Sequence, residues 1–319
     1  MPAVDPADLA RRLRARDRSA APAALNVIED RSPASREGAR RLLAELSPAA
    51  LGGEAPAHIV GITGPPGAGK STLLSALLPE WRRRGQSAAV LAVDPSSKRS
   101  GGSLLGDRAR IEYDPGDDGV LIRSTAAGGR LGGLAPPTRE AVEALAVAFD
   151  VVVVETVGVG QSETDVADVC DAVVVVVQPA SGDVLQFLKA GIMEVPDVLV
   201  VTKADLGPAA ERARRDLAHA LGTIGSSHVP VLAVSSVPPP SGVEQLADAL
   251  RSHREGLDVG ARRVRSRRAS ALREFVAERG ERALRALGGR REAERIIAAQ
   301  DEGADVNALI TALELEIVG

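Results

Sequence analysis

Residues 64–72 read Gly-Pro-Pro-Gly-Ala-Gly-Lys-Ser-Thr and follow directly on the apolar run His58–Thr63. They match the phosphate-loop pattern GxxxxGK[ST], which lies between a β-strand and an α-helix. Glycines in this loop let the backbone curl, so that several N–H groups point at a polyphosphate. The stretch therefore predicts an α/β fold that binds a nucleoside triphosphate. The predicted nucleotide-binding residues of the loop are Gly64, Pro65, Pro66, Gly67, Ala68, Gly69, Lys70, Ser71 and Thr72.

Two side chains at the end of this loop carry its charge and its metal chemistry. Lys70 places an ammonium group beside the β- and γ-phosphates, so it is a predicted catalytic residue. The Ser71 hydroxyl is a predicted ligand of Mg²⁺. A helix that begins near Lys70 points the positive end of its dipole at the same anion. The predicted ligand is therefore a nucleoside triphosphate with Mg²⁺.

The composition excludes several other classes of site. The chain has 319 residues, a formal net charge of −4, and a single cysteine, Cys170. One cysteine excludes both an internal disulfide framework and a thiolate metal cluster within one chain. No apolar stretch reaches the roughly 20 residues of a membrane span, and the first residues do not follow the signal-peptide pattern. We therefore expect a cytoplasmic protein with no membrane partner.

Short apolar runs alternate with helix-like segments along the middle of the chain. Runs such as Val151–Val154 and Val173–Val177 are continuously apolar, which is typical of strands covered on both faces. The predicted strands are His58–Thr63, Ala88–Asp94, Val120–Ser124, Asp150–Thr156, Asp171–Gln178, Asp197–Lys203 and Pro230–Ser235. The predicted helices between them are Ser71–Arg84, Thr138–Ala148, Val184–Ala190, Ala209–Leu221 and Val243–Glu255. The fold class is α/β, a doubly wound and mostly parallel sheet whose ligands bind beyond the carboxyl ends of the strands. Pro79 is expected to kink or end the first helix.

The two ends of the chain contain helix-like segments without clear strands. We predict an N-terminal helical extension at 1–52, the nucleotide domain at 53–255 and a C-terminal helical arm at 256–319. Residues 262–295 hold 12 Arg and 5 Glu. We interpret this excess as a solvated helix face with no nucleic-acid partner, because aromatic and basic residues do not alternate there. An apolar stripe on the opposite face predicts a partner or dimer surface, formed by Leu272, Phe275, Val276, Leu284 and Leu287.

Acidic residues at the ends of two predicted strands complete the phosphate site. The Glu155 carboxylate can hold Mg²⁺ or its water, and the N–H of Gly158 can reach a γ-phosphate. Asp94 ends the second strand, and Asp107 lies in the polar, glycine-rich stretch after it. The predicted catalytic residues are Lys70, Asp94, Asp107, Glu155 and Gly158. The predicted Mg²⁺ ligands are Ser71, Asp94 and Glu155.

Thr202-Lys203-Ala204-Asp205 matches the guanine-recognition pattern [NT]KxD at the end of the sixth predicted strand. The Asp205 carboxylate can accept two hydrogen bonds from guanine N1–H and the 2-amino group, a donor pair that adenine lacks. The stem of Lys203 packs over the base. Ser235 and Ser236 follow the seventh strand, where a backbone contact to the guanine carbonyl is expected. The pattern thus narrows the nucleotide to GTP or GDP.

The ordered motifs resemble the MeaB/ArgK group of P-loop GTPases, which are associated with methylmalonyl-CoA mutase. The resemblance covers residues 35–255 and is carried by GPPGAGKST, VDPSSKRSGGSLLGDR, RLGGLA, ETVGVGQSE, QPASGD, LKAGIMEVPD and TKAD. It implies a homodimer that uses the C-terminal arm. It also implies a third switch segment at 178–189, with Gln178, Asp183 and Lys189 as switch or partner-contact residues. Thr202 departs from the family, which usually has Asn there, and this puts the guanine affinity in doubt.

The resemblance also implies a function. Members act as G-protein chaperones of adenosylcobalamin-dependent acyl-CoA mutases: they gate cofactor loading and protect the mutase, with GTP hydrolysis as the gate. We expect slow hydrolysis that rises when the mutase binds, and no cobalamin bound directly to this chain. Two alternatives stay open at this point. A P-loop kinase or ATPase acting on a small molecule or protein predicts a preference for adenine, and a metal-insertion GTPase predicts a Cys/His cluster.

Overall fold

The computed structural model describes residues 5–30, 32–94, 110–126, 134–156, 166–179 and 196–318, with backbone alone at 34, 94, 126 and 318. The strands are β1 His58–Thr63, β2 Ala88–Asp94, β3 Val120–Ala126, β4 Val151–Thr156, β5 Ala172–Val177, β6 Val198–Val201 and β7 Val231–Ala233. The helices before and within the sheet region are α1 Pro6–Arg14, α2 Ala21–Glu29, α3 Pro33–Glu45, α4 Pro48–Leu51, α5 Lys70–Arg83, α6 Pro136–Ala148, α7 Pro208–Thr223 and α8 Val243–Gly256. Three helices follow: α9 Val259–Ala286, α10 Arg290–Ala298 and α11 Val306–Val318.

The described strands form one seven-stranded sheet in the order β3-β2-β4-β1-β5-β6-β7. Every neighbouring pair is parallel. The predicted fold class is confirmed. The strand order reverses at β1, which has β4 on one side and β5 on the other, so a crevice opens at the carboxyl end of β1. The phosphate loop leaves β1 at that point.

The first helix of the sheet region does not end at its proline. Helix α5 continues through Pro79 to Arg83. Leu77, Leu78 and Trp81 are buried on either side of the proline, in the same core cluster as the strands. Packing of this apolar face outweighs the backbone hydrogen bond that a proline removes. The helix therefore does not end at Pro79, and the other predicted outcome, a kink at this residue, stays a prediction.

The chain folds into two compact units. One comprises Met1–Pro56, Arg139–Ala148 and Asp258–Gly319, and the other comprises Ala57–Thr138 and Phe149–Leu257. The sheet and the phosphate loop belong to the second unit. The three-part organisation at 1–52, 53–255 and 256–319 stays a prediction. No helix in the described ranges is long and apolar enough to cross a bilayer.

The apolar stripe of the C-terminal segment is covered within the chain. Leu272 and Phe275 of α9 are buried in a cluster with Ile297 of α10 and Leu309 of α11. The rest of the predicted stripe joins the same cluster, with Leu284 and Leu287 buried and Val276 packed against it. The prediction that this stripe is a partner or dimer surface is therefore wrong, because α10 and α11 pack over it. A role of residues 256–319 in dimerisation stays a prediction.

An ion cluster is buried in the first of the two units, which comprises Met1–Pro56, Arg139–Ala148 and Asp258–Gly319. Arg139 of α6 lies 2.6 Å from Glu143 and 2.7 Å from Glu274, with Glu140 at 3.6 Å. Burial first of all, and then the other carboxylates, raises the pKa of Glu140 to about 7, against the pull of Arg139. Burial also raises the pKa of Glu143. Burial therefore favours the protonated form of both carboxyl groups.

Three aspartates accept backbone hydrogen bonds at the amino edge of the sheet. The Ser87 N–H donates to Asp150, the Ile59 N–H to Asp171 and the Val173 N–H to Asp197, over 2.8, 2.9 and 2.8 Å. Each aspartate lies one residue before a strand, where the sequence predicted the strand itself to begin. Each carboxylate thus takes an N–H at the amino edge of the sheet, away from the phosphate loop.

Candidate nucleotide site

The predicted site residues that the structure describes lie along the carboxyl edge of the sheet. The phosphate loop follows β1, Glu155 lies near the end of β4, and Gln178 follows β5. Residues 202–205 follow β6, and Ser235 and Ser236 follow β7. Asp94 is the last residue of β2, described by its backbone alone. The remaining site residues, Asp107, Gly158, Asp183 and Lys189, lie outside the described residues, as does the predicted helix at 184–190.

The phosphate loop packs tightly against β5. Gly64 has a φ of 142°, and a Cβ there would lie 2.1 Å from the carbonyl oxygen of Val176. Gly69 has a φ of 91° and is the residue before the first turn of α5. Both positions require glycine, because a side chain would either clash or strain the backbone. The loop therefore passes directly from the sheet into the N-terminus of α5.

Lys70 is held over the loop that precedes it. Its Nζ donates to the carbonyl oxygens of Gly64 at 2.7 Å and Pro65 at 3.1 Å. The side chain is buried. The ammonium group thus lies at the loop and at the positive end of the α5 dipole, where an anion is favoured.

Ser71 and Glu155 meet across the crevice. The Ser71 hydroxyl donates to Glu155 Oε1 at 2.8 Å. Glu155 is only 4% exposed and pairs in register with Ile62 of β1. Both side chains offer hard oxygen donors of the kind that Mg²⁺ prefers. The donor set present fits a magnesium ion.

Thr202 braces the phosphate loop. Its buried hydroxyl lies 2.6 Å from the carbonyl oxygen of Ala68 and 3.1 Å from that of Val177, and it can donate to either. The threonine is therefore directed at the protein backbone. Sequence reasoning missed this contact, because Ala68 and Thr202 are far apart in the chain and meet only through the order of the strands.

Ser235 orients the carboxylate of the guanine motif. Its hydroxyl donates to Asp205 Oδ1 at 2.9 Å and accepts from the Val237 N–H at 3.3 Å. The Ser235 N–H itself donates to Ser241, over 3.0 Å. Ser235 thus supports Asp205, which is exposed. The backbone contact of Ser235 or Ser236 to a guanine carbonyl stays a prediction. The adjacency of β6 and β7 was the available signal for this pairing.

Lys203 follows β6 in a left-handed conformation, with a φ of 55°. Its Nζ donates to Gln178 Oε1. This contact joins the guanine motif to the residue after β5, where the predicted third switch segment begins.

The family model described as Methylmalonyl Co-A mutase-associated GTPase MeaB matches residues 21–287. The chain belongs to this family. A putative GTPase of Caulobacter vibrioides is 44% identical over 272 residues, covering 83% of this chain and 82% of that protein. A Caenorhabditis elegans protein, named methylmalonic aciduria type A homolog, mitochondrial, is 41% identical over 196 residues, covering 59% of this chain and 49% of its own.

A solved structure is similar over the whole chain. The crystal structure of LAO/AO transport system kinase has a TM-score of 0.68 and 27% identity, and covers 100% of this chain and 99% of that one. As a MeaB-family member, this protein is a GTPase that binds guanine nucleotide, and its family is described as associated with methylmalonyl-CoA mutase. The predicted family and the predicted GTP hydrolysis are confirmed.

Proposed function

We propose that this MeaB-family GTPase is a chaperone of an adenosylcobalamin-dependent acyl-CoA mutase of the methylmalonyl-CoA type. In this proposal it gates adenosylcobalamin loading and protects the mutase, and GTP hydrolysis is the gate. Membership of the family and the printed name of the Caenorhabditis relative support the choice of partner. The observation that carries the proposal is that one edge of the sheet holds two groups of residues. One is the guanine motif, whose Asp205 is hydrogen-bonded by Ser235, and the other is the phosphate loop, whose Ser71 is hydrogen-bonded to Glu155.

Asp205 supplies the choice of base. Its carboxylate accepts one hydrogen bond from Ser235 and keeps lone pairs for guanine N1–H and the 2-amino group. A base without that donor pair leaves a carboxylate unsatisfied, which costs affinity. Adenine is rejected for this reason, which argues against the kinase alternative.

Lys70, the loop N–H groups and the α5 dipole bind the phosphates and stabilise charge that develops in phosphoryl transfer to water. Ser71 and Glu155 would hold Mg²⁺, which when bound neutralises charge on the β- and γ-phosphate oxygens. No covalent intermediate is required. Asp94, Asp107 and Gly158 remain proposed members of this site.

The partner contacts are also part of the proposal. We place the mutase against the third switch segment, with Gln178, Asp183 and Lys189 as contact residues, and the homodimer at residues 256–319. The Lys203–Gln178 contact supports this placement, because it joins the base site to the start of that segment. No direct cobalamin site is proposed. A cytoplasmic location is compatible with the single cysteine.

Single-turnover GTP hydrolysis tests the chaperone role, measured with and without a purified adenosylcobalamin-dependent methylmalonyl-CoA mutase. We expect the mutase to accelerate hydrolysis and to be retained by the protein bound to a non-hydrolysable GTP analogue. Equal rates with and without mutase, together with no retention in either nucleotide state, would contradict the proposal.

The base choice is tested by Asp205→Asn. An asparagine amide can accept from N1–H with its oxygen and donate to the 2-carbonyl of xanthine, but it cannot accept from both N1–H and the 2-amino group of guanine. We expect GTP affinity to fall at least about 100-fold and xanthosine triphosphate to bind better than GTP. Asp216→Asn, on the exposed face of α7, is the matched control and should leave both affinities unchanged. A variant that keeps its GTP affinity, or a wild-type protein that prefers ATP in competition, would favour the kinase alternative.

A further inference from the structure

Ser75 joins helix α5 to the chain at Glu112, within the unit that contains the sheet. It lies one helical turn after Ser71 in α5, and its hydroxyl donates to the Ser71 carbonyl oxygen at 3.0 Å. The same hydroxyl accepts a hydrogen bond from the Glu112 N–H at 2.8 Å. A serine hydroxyl has one donor and two acceptor lone pairs, so both bonds form together. Glu112 is thereby connected to the backbone of the predicted Mg²⁺ ligand.

Apolar contacts fix the chain beside Glu112. Ile111 is buried in the same core cluster as Leu74 and Leu78 of α5, and Tyr113 packs against that cluster. These residues are not in a strand or helix, so the Glu112 N–H has no ladder partner. The Ser75 hydroxyl is the partner that it takes, and the segment 111–113 is thus attached to α5 by packing and by one hydrogen bond.

The hydrogen bond between Ser75 and Ser71 connects the segment 111–113 to the phosphate site. Ser71 uses its carbonyl to accept from Ser75 and its hydroxyl to donate to Glu155. A shift of the backbone at Glu112 therefore changes the environment of Ser71 through a single side chain. A displacement of about 1 Å near reacting groups can cost a hundredfold in rate.

We propose that Ser75 is a positioning residue for GTP hydrolysis. Its hydroxyl links the Glu112 N–H to the Ser71 carbonyl oxygen and acts on the reaction only through these two neighbours. The proposal rests on the role of Ser71 at the phosphates and Mg²⁺. It adds a residue that the phosphate-loop pattern does not contain.

Ser75→Ala removes the hydroxyl and keeps a good helix former, so the variant should fold. We expect its single-turnover rate of GTP hydrolysis to fall about 10-fold, while its affinity for GDP changes by less than about 2-fold. Ser75→Thr keeps the hydroxyl and should recover most of the rate. Thr223→Ala is the matched control, because the Thr223 hydroxyl in α7 makes a similar bond to the carbonyl oxygen four residues earlier, over 3.0 Å to His219. It should hydrolyse GTP as the wild type does.

Hydrogen exchange gives a direct readout of the contact. In Ser75→Ala the amide of Glu112 should exchange faster, and in Ser75→Thr it should not. A wild-type rate in Ser75→Ala overturns the proposal, and so does an equal loss of GDP affinity and rate. Ser71→Ala separates this failure from a failure of the proposed site, since it should lose hydrolysis whether or not Ser75 matters. If Ser71→Ala retained the wild-type rate, the assignment of Ser71 itself would be wrong.

Discussion

The two edges of the sheet use aspartates and glutamates in opposite ways. At the carboxyl edge, Glu155 accepts a hydrogen bond from the Ser71 hydroxyl of the phosphate loop, and Asp205 accepts one from the Ser235 hydroxyl. At the amino edge, Asp150, Asp171 and Asp197 each accept a backbone N–H group, and Asp150 accepts the Ser87 hydroxyl as well. An acidic residue just before a strand therefore completes the fold, whereas one at or after the end of a strand is available for chemistry. Substitutions at the two edges should separate stability from activity.

The largest effect on stability is expected for Asp171→Ala. Asp171 is fully buried, and its Oδ2 accepts from the Ile59 N–H and from Arg254 Nη1 at 2.6 Å. Removing the carboxylate leaves the Arg254 guanidinium and the buried Ile59 N–H without this acceptor. The free energy of unfolding, measured in urea, should therefore fall by about 3–5 kcal/mol. Where the variant remains folded, its GTP affinity should match the wild type.

The control for Asp171→Ala is Glu211→Ala, which removes an exposed pair with Arg214 on α7. This pair should contribute less than about 0.5 kcal/mol. Two results would contradict the view that the amino edge serves stability and the carboxyl edge serves activity. They are equal losses of stability in the two variants, or a selective loss of GTP affinity in Asp171→Ala.

The largest effect on activity is expected for Lys70→Ala. The variant loses the ammonium group at the phosphates, so single-turnover hydrolysis should fall by at least about 100-fold. Its free energy of unfolding should change by no more than about 1–2 kcal/mol, because the hydrogen bonds from Lys70 to the Gly64 and Pro65 carbonyl oxygens each contribute little net stability. A comparable fall in stability would mean that the carboxyl edge supports the fold as the amino edge does.

Stability should also depend on pH through Glu140, which belongs to the unit that does not contain the sheet. The pKa of Glu140 is raised from 4.5 to about 7, mainly by burial. Between these values the folded protein keeps a proton that the unfolded chain releases, so stability falls as pH rises through this window, by at most about 1.4 kcal/mol per pH unit. Glu140→Gln stays neutral and should flatten this part of the curve in urea unfolding at pH 5 to 8. An unchanged slope would assign the pH dependence to other groups.

Much of the fold was predictable because its strands are continuous apolar runs. The predicted and observed bounds of β1 and β2 coincide, and those of β4 differ by one residue. Hydrophobicity alone could not locate the starts of β4, β5 and β6, since it does not show that the preceding aspartate bonds to another strand. The sequence also could not predict what covers the Leu272–Leu287 stripe. An apolar helix face has the same sequence pattern whether it is covered by its own chain or by a second subunit.

The site was predictable where a motif is local and not where a contact joins distant segments. The phosphate loop and the 202–205 motif each lie within a few residues. The support of Asp205 by Ser235 and of Ala68 by Thr202 depends on which strands are neighbours. Strand order is a property of the whole sheet, so these contacts carry no signal in a short pattern.

The smallest effect is expected for Thr202→Val, which tests such a contact. Valine keeps the shape of threonine but loses the hydroxyl near the Ala68 and Val177 carbonyl oxygens, while the Thr202 N–H bond to Val177 is retained. The buried Ala68 carbonyl then lacks this donor, at a cost of about 1–2 kcal/mol. If Thr202 holds the phosphate loop in the conformation that binds nucleotide, this cost should appear as a fall of about 10-fold in GDP affinity, measured by calorimetry. Thr223→Val, which removes a hydroxyl bonded within α7, should leave affinity unchanged. A loss of stability without a loss of affinity would mean that Thr202 serves the fold, as the aspartates of the amino edge do, although it lies at the carboxyl edge.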